Sequence, residues 1–101
     1  MYEIVFHEEV NKDLKELGHS TTALVLKKIQ KIADNPFVGT PLGNKANNIL
    51  AGYLKVYVDS KRVRIVYRIN EEKTEVFIIT VGKRDNMKVY KKASSRVEQK
   101  D

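Results

Sequence analysis

The sequence predicts a single α+β domain: an N-terminal strand, an antiparallel helical hairpin, a three-stranded antiparallel meander forming a small twisted sheet, and a short C-terminal helix. Three observations predict it. Apolar residues before Pro36 recur at helical spacing, whereas those after Tyr53 alternate. Both prolines and three of the five glycines fall between these regions, in residues 36–52. At 101 residues the chain has volume for one core and no second domain, so residues 1–101 are read as one unit.

Tyr2–Phe6 is β-branched and aromatic and reads as a short strand. From Glu8 the period changes, with Val10, Leu14 and Leu17 at i, i+4 and i+7 on one face of a helix that stops at Gly18. Ser20 or Thr21 is placed to cap a second helix, whose stripe is Val25, Ile29 and Ile32, widened by Leu26 and Ala33. Asn35-Pro36 ends it, because the residue before a proline is pushed out of the helical region. Residues 36–52 read as a loop without regular structure. Tyr53–Val58 alternates, with Leu54, Val56 and Val58 on one face and Tyr53, Lys55 and Tyr57 on the other. Asp59-Ser60-Lys61 turns the chain into Arg62–Ile69, where Val63, Ile65, Tyr67 and Ile69 oppose Arg62, Arg64 and Arg68. Parity therefore puts Tyr67 in the core. Glu75–Val81 is nearly continuous in apolar residues, as for a strand covered on both faces, and Gly82 marks an expected bend or bulge beyond it. Residues 87–101 form an expected weakly anchored helix or tail, with only Val89, Ala93 and Val97 at helical spacing.

Charge is distributed unevenly. Residues 1–52 hold 6 Lys/Arg and 6 Asp/Glu, whereas residues 53–101 hold 13 and 7, so the whole net charge of +6 lies in the second half. With the hairpin covering one sheet face, the other carries Lys55, Tyr57 and arginines, a surface of cations and aromatics suited to single-stranded nucleic acid. The absence of cysteine excludes disulfides and thiol chemistry. No signal peptide or membrane-length apolar run is recognisable, so a soluble cytoplasmic protein with no membrane partner is expected. His7 and His19 are far apart in sequence and are read as ordinary surface residues, which disfavours a histidine-pair ribonuclease. No acidic or histidine cluster has metal-ligand spacing; neither metal nor cofactor is expected. The second half is instead rich in tyrosines and cations. A lone phenol is a poor base at neutral pH, neighbouring cations favour its ionised form, and arginine is a bidentate phosphate clamp.

Two motifs carry a family resemblance. Val81-Gly82-Lys83-Arg84 is followed, six residues after the arginine, by Tyr90, and Arg64-Ile65-Val66-Tyr67 lies nine residues after Lys55. Together, in this order, they resemble the RelE/ParE superfamily of type II toxin–antitoxin toxins, closest to its RelE branch. The resemblance implies a toxin that enters the ribosomal A site, contacts ribosomal RNA, and cleaves messenger RNA by attack of a ribose 2′-hydroxyl on the adjacent phosphate. It implies that Tyr90 receives the 2′-hydroxyl proton, Arg84 helps the 5′-oxygen leave, Arg64 stabilises the charged transition state, and Lys55 is the first of two functional lysines. The second is replaced by Tyr57. Tyr57, Lys61, Arg62, Arg68, Lys83 and Lys88 are the expected RNA or ribosome contacts. A cognate antitoxin is the implied protein partner, covering the basic face and displacing the chain beyond Asn86. Two other readings are a ParE-like toxin directed at DNA gyrase without nuclease chemistry, and a non-catalytic RNA-binding domain.

Overall fold

In a computed structural model, which describes residues 1–42, 50–83 and 88–99, the elements appear in the order β1 (Glu3–Phe6), α1 (Val10–Leu17), α2 (His19–Asp34), a 3-10 turn (Pro36–Val38), β2 (Thr40–Pro41), β3 (Tyr53–Val58), β4 (Val63–Asn70), β5 (Glu75–Lys83) and α3 (Lys88–Gln99). Five strands among the described residues form one sheet ordered β1-β5-β4-β3-β2. The meander β3-β4-β5 is antiparallel, and β1 runs parallel to β5, pairing Glu3 with Glu75 and Phe6 with Ile78.

The α+β order read from the sequence is the observed one, with three corrections. Residues 36–52 are not wholly irregular. Asn35 Oδ1 accepts the Phe37 N–H at 3.3 Å, which starts the 3-10 turn, and Thr40–Pro41 then pairs with Lys55 and Leu54 as an edge strand. A two-residue edge containing proline offers little to a foreign strand. The second helix is capped by neither Ser20 nor Thr21. It begins at His19 directly after Gly18, whose φ of 82° lies in the left-handed region open to glycine. The tight connection is held instead by Thr22 Oγ1 donating to the Leu14 carbonyl at 2.7 Å. Third, Gly82 is not at a bulge: it pairs directly with Arg64. The irregularity falls earlier, where Val66 faces Thr80 and Tyr67 faces Ile78, leaving Ile79 as the extra residue.

That bulge flips the side-chain parity of β5. Val76 and Ile78 before it, and Val81 after it, all enter the core on the α1/α2 side, with Val10, Val25, Ile29, Ile32, Val56, Val63, Ile65 and Tyr67. The opposite face holds a smaller cluster of Leu50, Tyr53, Val66 and Ile79 beneath Ala93 of α3, with Tyr90 and Val97 alongside. β5 is thus covered on both faces, and Val76, Ile78, Ile79 and Val81 are fully buried.

Tyr67 lies in the core, where parity placed it. Its hydroxyl donates to the Pro36 carbonyl at 2.7 Å, and Gly39 passes so close to this hydroxyl and to Leu54 that a Cβ there would overlap both. Burial pushes the Tyr67 phenol up to about 12. The folded protein therefore keeps this proton where the unfolded chain, near 10, has lost it. Stability from this group is complete below about pH 10 and declines as pH rises towards about 12. Tyr67→Phe is expected to lower stability by about 1 kcal/mol at neutral pH, through the lost hydrogen bond, and to remove part of the alkaline decline. Thermal melts of both proteins between pH 8 and 11 check this.

Candidate functional site

Among the described residues two arginines are buried, in opposite electrostatic situations. Arg96, on α3, meets the buried Asp13 of α1 through two bonds, Nη1 to Oδ2 at 2.6 Å and Nη2 to Oδ1 at 2.9 Å. The pair also completes the sheet. β1 ends opposite Ile78, and beyond that point the edge of β5 is met by side chains. Asp13 Oδ2 accepts the Val81 N–H at 3.1 Å and the Thr80 hydroxyl at 3.0 Å, while Arg96 Nη1 donates to the Ile79 carbonyl at 2.9 Å. Burial would raise the Asp13 carboxyl, but the Arg96 hydrogen bonds, the Val81 N–H, the Arg96 charge and the Thr80 hydroxyl outweigh it and hold the group below its usual range. Lys92 adds longer contacts of 3.4 Å to both Asp13 and Glu16. α3 thus meets the rest of the domain through polar contacts as well as through Tyr90, Ala93 and Val97.

Arg64 is the contrasting case. It sits on β4, 9% exposed, facing away from α1 and α2, and no carboxylate pairs with it among the described residues. Its Nη1 donates to the Tyr90 hydroxyl and its Nη2 to the Tyr57 hydroxyl, the latter at 3.3 Å, while Nε has no hydrogen-bond partner among the described residues. Both rings also face the cation, with guanidinium-to-centroid distances of 5.0 Å for Tyr57 and 4.9 Å for Tyr90. Register explains the arrangement. Tyr57 is directly across the strand pair from Arg64, while Gly82 on the other side adds no side chain. Tyr90 enters from the first turns of α3.

Two further cations surround Tyr57, with Lys55 Nζ at 5.2 Å and Lys61 Nζ at 5.8 Å from the ring centroid. Lys61 follows Asp59 and Ser60 in a turn where all three residues have positive φ, at 55°, 54° and 71°. A run of non-glycine residues in this region is strained. Five of the residues singled out by the sequence, Lys55, Tyr57, Lys61, Arg64 and Tyr90, thus meet at one place. Others do not. Arg68 is farther along the same strand face, above the Phe77 ring at 5.5 Å and across from Tyr53. Arg62 is exposed in the turn, and with Lys83 it lines a cleft beside Leu17 and Thr21 that meets the cluster only through Lys61. The β5 bulge is what sends Lys83 to that helical side. Arg84 lies outside the described residues, as does the side chain of Lys88.

Neither histidine joins the cluster. His7 Nδ1 accepts the Glu9 N–H at 3.1 Å, and His19 is exposed at the start of α2. No group of three or more metal-ligating side chains occurs among the described residues, and no helix among them is long and apolar enough to cross a membrane. Chemically, a buried guanidinium with no acidic partner among the described residues is able to hold an anion, since a buried charge is otherwise costly. The phenols on its two Nη atoms add hydrogen-bonding and proton-transfer capacity.

Sequence reasoning missed Asp13 and Arg96. A signal was present: Asp13 is three residues after Val10 and Arg96 three after Ala93, so each charge stands within the buried stripe of its helix.

Comparison with known proteins places these features in context. Residues 4–87 match the family model for the ParE toxin of the parDE type II toxin–antitoxin system. The chain is 31% identical over 96 residues to the mRNA interferase toxin RelE of Escherichia coli strain K12, covering 95% of this chain and 97% of that protein. The isolated E. coli RelE toxin superposes with a TM-score of 0.70 at 27% identity, over 96% of this chain and 99% of that one. The toxin in the intact E. coli RelBE toxin–antitoxin complex superposes with a TM-score of 0.68 at 26% identity, over 85% and 100% of the respective chains.

Proposed function

The chain belongs to the RelE/ParE superfamily of type II toxin–antitoxin toxins, in its RelE-like branch, and from this we propose that it cleaves messenger RNA in the ribosomal A site. It is a toxin with mRNA interferase activity. The observation that carries the proposed chemistry is Arg64: buried, without an acidic partner among the described residues, and held between two tyrosine hydroxyls.

In this reading the scissile phosphate supplies the anion that no described residue offers Arg64. Charge that develops on phosphorus during 2′-hydroxyl attack is met by a guanidinium already desolvated and oriented, so little reorganisation accompanies the reaction. Tyr90, on one Nη, receives the 2′-hydroxyl proton. Lys55 and Lys61 supply nearby positive potential, and Arg84 assists departure of the 5′-oxygen. Arg62, Arg68, Lys83 and Lys88 make outlying contacts with RNA or ribosome. The ribosome holds the message in register, a large part of the barrier for a site built from weak acids and bases. A cognate antitoxin binds the toxin, covers the basic face and displaces α3, which would require opening the Asp13–Arg96 pair.

Primer extension on a translated message, with and without ribosomes, tests the proposal. Wild type is expected to cut only when ribosomes are present, and Tyr90→Phe to cut roughly 100-fold more slowly. Intact message beside arrested growth would instead favour the gyrase-directed reading.

A further inference from the structure

We propose that Tyr57 is a second catalytic phenol, the general acid that protonates the departing 5′-oxygen; this rests on the cleavage reading above. Displacement at phosphorus places the attacking and leaving oxygens roughly in line, on opposite sides. Two proton-transfer groups are therefore needed, flanking one held phosphate. The Arg64 fork has this form, with the Tyr90 hydroxyl at Nη1 and the Tyr57 hydroxyl at Nη2. The leaving alkoxide needs a proton, and a guanidinium does not give one up in proteins. A phenol can. As its proton leaves, negative charge grows on the Tyr57 oxygen, beside the Arg64 guanidinium and with Lys55 and Lys61 close to the ring.

The step balances. Tyr90, as phenolate, takes the 2′-hydroxyl proton; the bond from 2′-oxygen to phosphorus forms as the bond from phosphorus to 5′-oxygen breaks; the 5′-oxygen takes the Tyr57 proton. The products are a 2′,3′-cyclic phosphate and a 5′-hydroxyl, and proton exchange with water resets both phenols. Cross-strand register fixes Tyr57 opposite Arg64, so the acid is carried by the rigid sheet while its counterpart Tyr90 arrives on a helix.

The test is single-turnover cleavage of a message bound in the ribosomal A site, bearing either an ordinary phosphodiester or a 5′-bridging phosphorothiolate at the cut position. The thiolate leaves without needing a proton. Tyr57→Phe keeps the ring and its contacts with the cations. It is expected to slow the ordinary substrate roughly 100-fold and to recover most of the wild-type rate on the phosphorothiolate. Arg64→Ala is expected to be slow on both. Tyr57→Phe cutting the ordinary substrate at the wild-type rate would overturn the inference, leaving the cleavage reading intact. A slow Tyr57→Phe that the phosphorothiolate does not rescue would also overturn it, and would make Tyr57 a positioning residue for Arg64. Wild type that cuts neither substrate would bring down the cleavage reading and this inference with it.

Discussion

Arg64→Met is expected to reduce ribosome-dependent cleavage by roughly 100- to 1,000-fold while leaving the melting temperature unchanged or raised. The two effects have one cause. In the free protein Arg64 is a buried cation whose partners are hydroxyls and ring faces, without a carboxylate among the described residues. Such partners offset only part of the cost of desolvating the charge. Methionine fills similar volume, adapts to the space between Tyr57 and Tyr90, and carries no charge. Stability is thereby released from a site that, in the proposed function, awaits an anion. Cleavage assays and thermal melts on the same preparations check both halves. A marked drop in melting temperature with cleavage preserved would mean that Arg64 serves the fold and not the chemistry.

The second large effect is expected at the other buried arginine. Asp13→Ala should cost about 3–5 kcal/mol, because, among the described residues, it leaves the buried Arg96 charge with only the more distant Glu9 carboxylate, at 3.9 Å, and the Val81 N–H without an acceptor. At roughly 4–8 °C per kcal/mol for a domain of this size, the melting temperature should fall by well over 10 °C. Amide exchange in α3 should accelerate ahead of exchange in β4 and β5, and cleavage should fall as well, because α3 carries Tyr90. Joint replacement, Asp13→Leu with Arg96→Met, should recover much of the loss, since an apolar pair of similar volume often matches a buried ion pair. A single variant as stable as wild type would show that the pair contributes little. Acid acts in the same direction. The Asp13 carboxyl is held below its ordinary value of 3.8 in the folded protein, so its contribution is present above about pH 4 and is lost as pH falls through the lower folded value. In Asp13→Leu with Arg96→Met that part of the acid sensitivity should vanish.

Local pattern was enough for most of the fold. Alternation in Leu54–Val58 and Val63–Ile69 determined which residues face the helices, because successive side chains on a strand point to opposite faces, and Tyr67 entered the core on that basis. The same parity placed Lys55, Tyr57, Arg64 and Arg68 together on the far side. Helical spacing located α1 and α2, and Gly18 and Asn35-Pro36 marked their ends. Family-specific spacing singled out Arg64 and Tyr90, 26 residues apart, which the structure joins by a hydrogen bond.

Tertiary structure decided what no local pattern encodes. Alternation cannot count a residue inserted by a bulge, so the turn of Lys83 towards Leu17 and Thr21 became visible only in the register of β4 against β5. Spacing could place Asp13 and Arg96 in their helical stripes but could not pair two charges 83 residues apart, nor show that they serve the β5 edge where β1 stops. Whether a buried arginine holds the fold or awaits a ligand depends on which carboxylate reaches it. That is a property of packing: Arg96 has Asp13, and Arg64 has two tyrosines. Sequence by itself determined β1, β3, β4, β5, α1, α2 and the shared face of Lys55, Tyr57, Arg64 and Arg68, because those follow from short-range periodicity, whereas the short edge strand β2 has no such signal. The different partners of the two arginines buried among the described residues were set by contacts between distant segments, where desolvation and pairing are decided.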